Sequence, residues 1–437
     1  METMKEKSFN DLVEQFLGTR LPQQMAEAVS MSELHPEAQG FVMRLLALMK
    51  RSGYSVTNFN SHLIRWISTT VPAFLPNAWG GRIPPLTIPG RHKKFDRYVA
   101  GQNRTPGSEP HIFVDVGCGF PPVTSAETAR KLPEWQIYGI DRSFADYVLY
   151  DLNGHYACFD QKDGFQYFQA SMHPSGRALY TDPAGTKNNF NKLFAELAPL
   201  LPKSNGAKSE TVEKDGRKLI HNHIRDFETD NLTFIKSDLE ELNIQPAKVI
   251  RCMNVMIYFK PEKRKEMLLK AGEILDDDGI MIVGTNGFGT QSRYAIYQKG
   301  ANGMFPSEYS FSPDNLGNIV FMPWLTMQEN DPEATLLADL SATIRADRSF
   351  WPDFSNRMDE LLQEGGICRD SDGFFHFPEE MTPIEVMNKF AVLWQQMDKE
   401  GYTDSAVEVL GRAGYDAWKN PVGDIAVRPP ANSLPLC

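Results

Sequence analysis

Through the middle of the chain, near-continuous apolar runs alternate with stretches of helical spacing. Ile112, Phe113, Val114 and Val116 make the run of a strand buried on both faces, with Asp115, Gly117 and Gly119 where the chain must turn. A second run, Trp135 to Ile140, ends in Asp141. Asn231 to Leu239 reads as a third strand ending in Ser237 and Asp238, and Lys248 to Phe259 as a fourth strand and its exit. Pro261 to Leu275 sets Met267, Leu268, Ala271, Ile274 and Leu275 at helical spacing, Asp276 to Gly279 ends that helix, and Ile280 to Val283 supplies a fifth strand. Strand, turn, helix and strand in repetition predict an α/β fold with a doubly wound, mainly parallel sheet. Such sheets hold ligands outside the carboxyl ends of their strands, where Gly117, Asp141, Asp238 and Asn254 all fall.

The flanks add modules to this core. Phe41, Leu45, Leu48 and Met49, then Leu63, Ile64 and Ile67, recur at helical spacing. Pro72 to Pro89 is rich in proline and glycine and reads as a linker or lid. Glu333 to Ile344 and Ile384 to Met397 are expected to be amphipathic helices, and Tyr415 to Val427 two strands about a turn at Asn420 to Gly423. The expected organisation is a helical region with a lid over 1–105, a cofactor-binding core over 106–290 with an insertion at about 145–230, an inserted substrate cover over 291–405, and a hairpin over 406–437 completing the sheet. A separate C-terminal domain is the alternative to that last step.

The glycines at the first turn matter sterically. Without Cβ they take positive φ and admit a ligand close to the backbone, and amides left free there would point at it. Asp141 stands where a carboxylate can accept from both hydroxyls of a ribose. A nicotinamide site wants G-x-G-x-x-G; here the third glycine is missing and Pro121 and Pro122 occupy the turn. D-x-G-x-G after a first strand instead resembles motif I of the class I S-adenosylmethionine-dependent methyltransferases, whose cofactor has no phosphate. Asn254 to Phe259 resembles the RNVMIYF segment of chemotaxis-type (CheR-like) protein-glutamate methyltransferases. The long interval between Asp141 and Asp238 resembles that family's β-rich insertion, with Gly216 to Ile220 as one of its strands.

The resemblance spans residues 111 to 287. It implies a Rossmann-like, seven-stranded methyltransferase fold that takes S-adenosylmethionine and leaves S-adenosylhomocysteine. Asp115, Gly117, Cys118 and Gly119 would face the methionyl part, Asp141 with Arg142 beside it the ribose, and Ser237, Asp238 and Leu239 the adenine. Asn254 and Tyr258, the candidate catalytic residues, would lie beside the methyl group, Tyr258 orienting an acceptor oxygen. The family's arginine before the asparagine is Met253 here, with Arg251 two places earlier on the same strand face.

Composition narrows the acceptor. At 437 residues the chain exceeds one common domain, and 41% hydrophobic residues supply a core. A formal charge of -11 argues against a nucleic-acid partner, which needs clustered Lys and Arg. Arg91 to Lys94 is a short basic run suited to a solvated loop or an anionic acceptor. Cys118, Cys158, Cys252, Cys368 and Cys437 lack paired spacing, as in a reducing compartment. His221 and His223 would share one face of a strand, a metal-type pairing without a third ligand, so no metal is expected. A polar N-terminus and the lack of a long apolar run lead to the expectation of a cytoplasmic protein without a membrane partner. Three functions fit: methyl transfer to a small molecule or a specialised protein site, with O-methylation favoured and a carboxylate among the candidate acceptors; chemotaxis-type protein-glutamate O-methylation; and a non-catalytic, cofactor-binding scaffold.

Overall fold

The structure, a computed structural model, describes residues 7–65, 67–68, 87–101, 110–162, 164–171, 173, 175–202, 208–287, 291–317, 327–378, 381 and 383–437. Most of the expected lid, residues 72–89, lies outside these. The chain forms two compact units, one of residues 73–93 and 106–242, the other of residues 1–72, 94–105 and 243–437. The division falls inside the segment 106–290 expected to be one core.

In the unit holding the first turn, β1 (His111–Val116) pairs in parallel with β2 (Trp135–Ile140), with Asp115 opposite Gly139. Gly139 is required by its neighbours: a Cβ there would stand 2.5 Å from the ring of Phe234. The helix Val123–Lys131 connects the two strands, its buried face made of Thr124, Ser125, Thr128 and Ala129. Five antiparallel strands follow in the order β5-β4-β3-β7-β6: β3 (Tyr147–Tyr150), β4 (Tyr156–Phe159), β5 (Phe165–Gln169), β6 (Glu210–Lys214) and β7 (Arg217–His221). One face of this sheet packs on the helix Pro183–Leu197, with Phe159 stacked on Phe194 at 4.2 Å between ring centres. Burying such aromatic side chains contributes on the order of 2 kcal/mol each. β8 (Leu232–Ile235) then returns to pair in parallel with β2. Just before it, the Asn231 side-chain amide donates to the carbonyls of Ala129, Leu132 and Trp135, closing the helix end against the start of β2.

The pairing of His221 and His223 on one strand face is corrected. β7 ends at His221, Asn222 takes φ 55°, and His223 opens a short 3-10 helix, so the period of two is broken between them.

In the other unit, β9 (Ala247–Met253) lies parallel to β10 (Leu275–Asn286), joined by the helix Pro261–Ile274. β11 (Ser292–Gly300) and β12 (Gly303–Phe311) then add antiparallel strands directly. This corrects the expectation that 291–405 leaves the sheet. The missed signal is Asn302-Gly303 between two strand-like runs, with Gly303 at φ 104°, a tight-hairpin signature. Gly284 on β10 makes the pairing possible, since a Cβ there would meet the carbonyl of Arg293 at 2.1 Å. Only after β12 do the helices Pro332–Ala346, Trp351–Glu364, Pro383–Lys399 and Tyr402–Arg412 follow, with the small pair β13 (Cys368–Arg369) and β14 (Phe375–His376) between the second and third.

β15 (Ala417–Lys419) and β16 (Ile425–Val427) form the expected terminal hairpin, and β16 pairs with β12. That hairpin extends the edge beyond β12 rather than filling a place beside β10. With β1, β2 and β8 in one unit and β9 to β12, β15 and β16 in the other, the described strands of these runs number nine where seven were expected. Buried hydrogen bonds seat the hairpin turn: Asn420 donates to Tyr294, Glu308 and Ser310, and Asp424 accepts from Lys94 and Tyr294. The fold is a Rossmann-like α/β fold, parallel around β1, β2 and β8 and again between β9 and β10.

Candidate functional site

Gly117 and Gly119 take φ of 64° and 76°, a region that favours glycine. They wrap the end of β1 over the end of β2. The amides of Gly117 and Cys118 both donate to the carbonyl of Ile140, at 2.8 and 3.3 Å, and that of Gly119 donates to Asp141 Oδ2 at 3.0 Å. Pro121 and Pro122 have no N–H, and Val123 N donates to Pro121 at 2.8 Å. The expectation of free amides in this turn is therefore corrected, because closure onto β2 consumes them. Cys118 turns its side chain inward, buried toward β2, where a Cβ on Gly139 would lie 3.3 Å from its sulfur. It can offer a ligand only backbone.

What this end of the strands does present is oxygen. Asp141, half-buried, accepts from Gly119 N through one carboxylate oxygen and from Ser143 N at 2.7 Å through the other. A carboxylate offers about four lone-pair positions; the Ser143 side chain bonds to it as well, and only what remains is left for a ligand. Burial pushes its pKa above the ordinary carboxylate value, and the two N–H groups pull against that rise. Asp115 is buried and accepts from Ser125 Oγ at 2.6 Å. After β8, Asp238 Oδ1 accepts from the amides of Glu240 and Glu241, both at 3.1 Å, while Ser237 Oγ donates to the carbonyl of Asp238. Arg142, three-quarters exposed, brings Nε to 3.8 Å from Asp238 Oδ2, and Leu239 is buried. The structure thus joins the Gly119 turn to Asp141, and Arg142 to the Asp238 turn.

The other two sequence-predicted residues lie in the unit of β9. Asn254 follows β9 with φ 61°, a conformation that asparagine tolerates better than other residues bearing a Cβ. Its N–H donates to Gly284 at 2.8 Å, its Nδ2 to Asn286 Oδ1 at 2.7 Å, and its Oδ1 accepts from Asn286 N at 3.1 Å. The side chain therefore fixes the exit of β9 to the end of β10, leaving one Nδ2 hydrogen. Tyr258 is half-buried in a 3-10 helix, Met256–Tyr258, and its carbonyl accepts from Gln328 at 3.0 Å. Arg251 is fully buried, with Nη1 2.7 Å from Asp96. It is a sealed ion pair inside the unit, so the guanidinium is committed there. Asn286 and Gln328 escaped sequence reasoning. Asn286 could have been found, because it lies three residues past the fifth predicted strand and ends β10.

Residues 200–294 match the family described as CheR methyltransferase, SAM binding domain. The match takes in Ser237 to Leu239, Asn254 and Tyr258, and begins after the Asp115 to Asp141 segment. No curated protein matches the chain. Among solved structures, a magnesium protoporphyrin IX methyltransferase from Synechocystis PCC 6803 with bound SAM is 14% identical over 53% of this chain and 80% of its own, with a TM-score of 0.21. PKMT2 from Rickettsia typhi in complex with AdoHcy is 14% identical over 42% of this chain and 22% of its own, with a TM-score of 0.20.

Proposed function

We propose that this chain, an S-adenosylmethionine-dependent methyltransferase with S-adenosylmethionine as its cofactor, transfers the methyl group to an oxygen of a small molecule or a specialised protein site. The observation that carries this reading is the polarity of the first turn. Its amides from Gly117 to Gly119 are consumed and two prolines follow, while Asp141 keeps acceptor positions open. Such a turn is poor in donors for a phosphate and suits a cofactor whose ribose hydroxyls and ammonium donate.

Bound there, S-adenosylmethionine would supply an already electrophilic methyl group on a sulfonium. Asp141 would hold the ribose diol, Ser237 to Leu239 would border the adenine, and the Asp115 to Gly119 turn would face the methionyl part. Tyr258 would orient the acceptor oxygen, and Asn254 would hold the β9 exit that carries it. Catalysis of this kind comes mainly from placing a nucleophile in line and excluding water. The formal charge of -11 supports an acceptor other than a phosphate backbone.

The match to the CheR domain favours a second reading, O-methylation of a carboxylate such as a protein glutamate. A carboxylate acceptor calls for a cationic grip, and Arg251 is already closed on Asp96. Label transfer from methyl-tritiated S-adenosylmethionine separates the readings. Alkali-stable label in the acceptor is expected for a methyl ether, methanol released by alkali would establish the second reading, and absence of any transfer across small-molecule and protein fractions would refute both.

A further inference from the structure

We propose that His223, oriented by Asp226, is the general base that takes the proton from a hydroxyl or phenol acceptor, so that this enzyme O-methylates protic oxygens. The proposal rests on the methyltransferase reading above and deepens it. Transfer to a hydroxyl is assisted by an unprotonated base near the cofactor turn, and His223 has that construction.

Three observations carry it. The first is position. Asn222 turns the chain at φ 55° and its N–H donates to the carbonyl of Asp146 at 2.8 Å, fixing the segment to the loop that follows Asp141. The His223 ring then meets Phe120, the residue directly after Gly119, edge to face at 5.9 Å. Second is orientation. Nδ1 lies 2.7 Å from Asp226 Oδ2, and the other oxygen of Asp226 accepts from Ser209 Oγ. A carboxylate on Nδ1 puts the ring proton there and leaves the Nε2 lone pair as the acceptor, the arrangement of an activated base. Among the described residues Nε2 has no protein partner, and the side chain keeps 13% exposure.

Third is protonation state. Burial against Phe120, Phe227 and Tyr150 lowers the pKa below the ordinary imidazole value. Asp226 opposes that shift, and Lys218 on β7 adds to it. Tyr150 on β3, itself pushed up to about 12, stays neutral. His223 is therefore unprotonated near neutral pH and able to accept. His221 differs: its Nδ1 faces Glu210 on β6, inside the five-stranded sheet.

The step balances. As the acceptor oxygen's electron pair forms the bond to the methyl carbon, the S–C bond breaks with its pair kept by sulfur. The acceptor proton goes to His223 Nε2 and then to solvent. Asp226 is a positioning residue, acting on the acceptor only through the imidazole.

The test needs no identified acceptor. Dissociation constants of S-adenosylmethionine and S-adenosylhomocysteine are measured by calorimetry from pH 8 to pH 5 for the wild type, His223→Gln and Asp226→Asn. Both ligands share the ribose, so titration of Asp141 cancels in their ratio. The two ligands differ by the cationic methylsulfonium of S-adenosylmethionine, so a protonated His223 near the methyl should weaken S-adenosylmethionine relative to its product by about three- to tenfold at the acid end. His223→Gln should flatten the ratio while binding S-adenosylhomocysteine within about twofold of wild type. Asp226→Asn should move the break to lower pH, since the group raising the imidazole pKa is gone. A flat wild-type ratio, or a break that survives in His223→Gln, overturns the proposal. Failure of folded wild type to bind either ligand overturns the cofactor reading and this proposal with it.

Discussion

Replacing Asp141 by alanine removes the carboxylate on which both the turn and the proposed ribose contact depend. In the free protein its oxygens accept from Gly119 N, Ser143 N and the Ser143 side chain, so about 1 kcal/mol of folding stability should be lost per hydrogen bond. In the complex the contact to the ribose is lost as well, at about 1 to 3 kcal/mol in total, which raises the dissociation constant of S-adenosylhomocysteine roughly five- to 150-fold. Calorimetry reads the second quantity and urea unfolding the first. The pH dependence adds a sign: only ionised Asp141 accepts from both ribose hydroxyls, so wild-type affinity is full above its pKa and falls as pH drops through it. Because burial raises that pKa, the fall should begin above the ordinary carboxylate range, and it should be absent in Asp141→Asn. A folded Asp141→Ala protein that binds S-adenosylhomocysteine as wild type does would refute the ribose assignment.

Gly117→Val should abolish cofactor binding while most of the fold survives, because a β-branched residue is strained at φ 64° by about 1 to 2 kcal/mol; retained binding would show that the turn does not approach the ligand. Asn254→Ala should destabilise the protein by about 2 kcal/mol in urea unfolding, losing both bonds to Asn286, and an unchanged midpoint would deny Asn254 its bracing role. Deleting residues 415–437 strips β15 and β16 from β12 and removes Asn420 and Asp424 from their buried partners; loss of cooperative thermal unfolding is expected, and an intact transition would mark the hairpin as dispensable.

The parallel strands and their connecting helix were legible because a strand buried on both faces writes itself as an unbroken apolar run, as Ile112 to Val116 and Ile280 to Val283 do. Ligand-end positions followed from the same reading, since Asp141 and Asn254 mark the ends of such runs. The course after β10 was misread. Arg293, Gln298 and Lys299 confine the apolar run of the first strand to Tyr294 to Tyr297, Glu308 breaks the second, and the Asn302-Gly303 turn is the clearer mark of the hairpin. Contacts between distant segments left no local trace. Nothing near Arg251 announces Asp96, and nothing near Tyr258 announces Gln328, because each pair is made by folding rather than by spacing. His223 was hidden for a related reason: its role depends on Asn222 breaking the strand and on a ring contact with Phe120 far back in the chain.

On the proposed reading, the turn after β1 takes a cofactor without a pyrophosphate. Calorimetric titration of the wild-type protein with S-adenosylhomocysteine, and in parallel with reduced nicotinamide adenine dinucleotide, tests it most directly. One-to-one binding of S-adenosylhomocysteine, displaced by S-adenosylmethionine, is expected, with no heat from the dinucleotide. Binding of the dinucleotide with none of S-adenosylhomocysteine would contradict it.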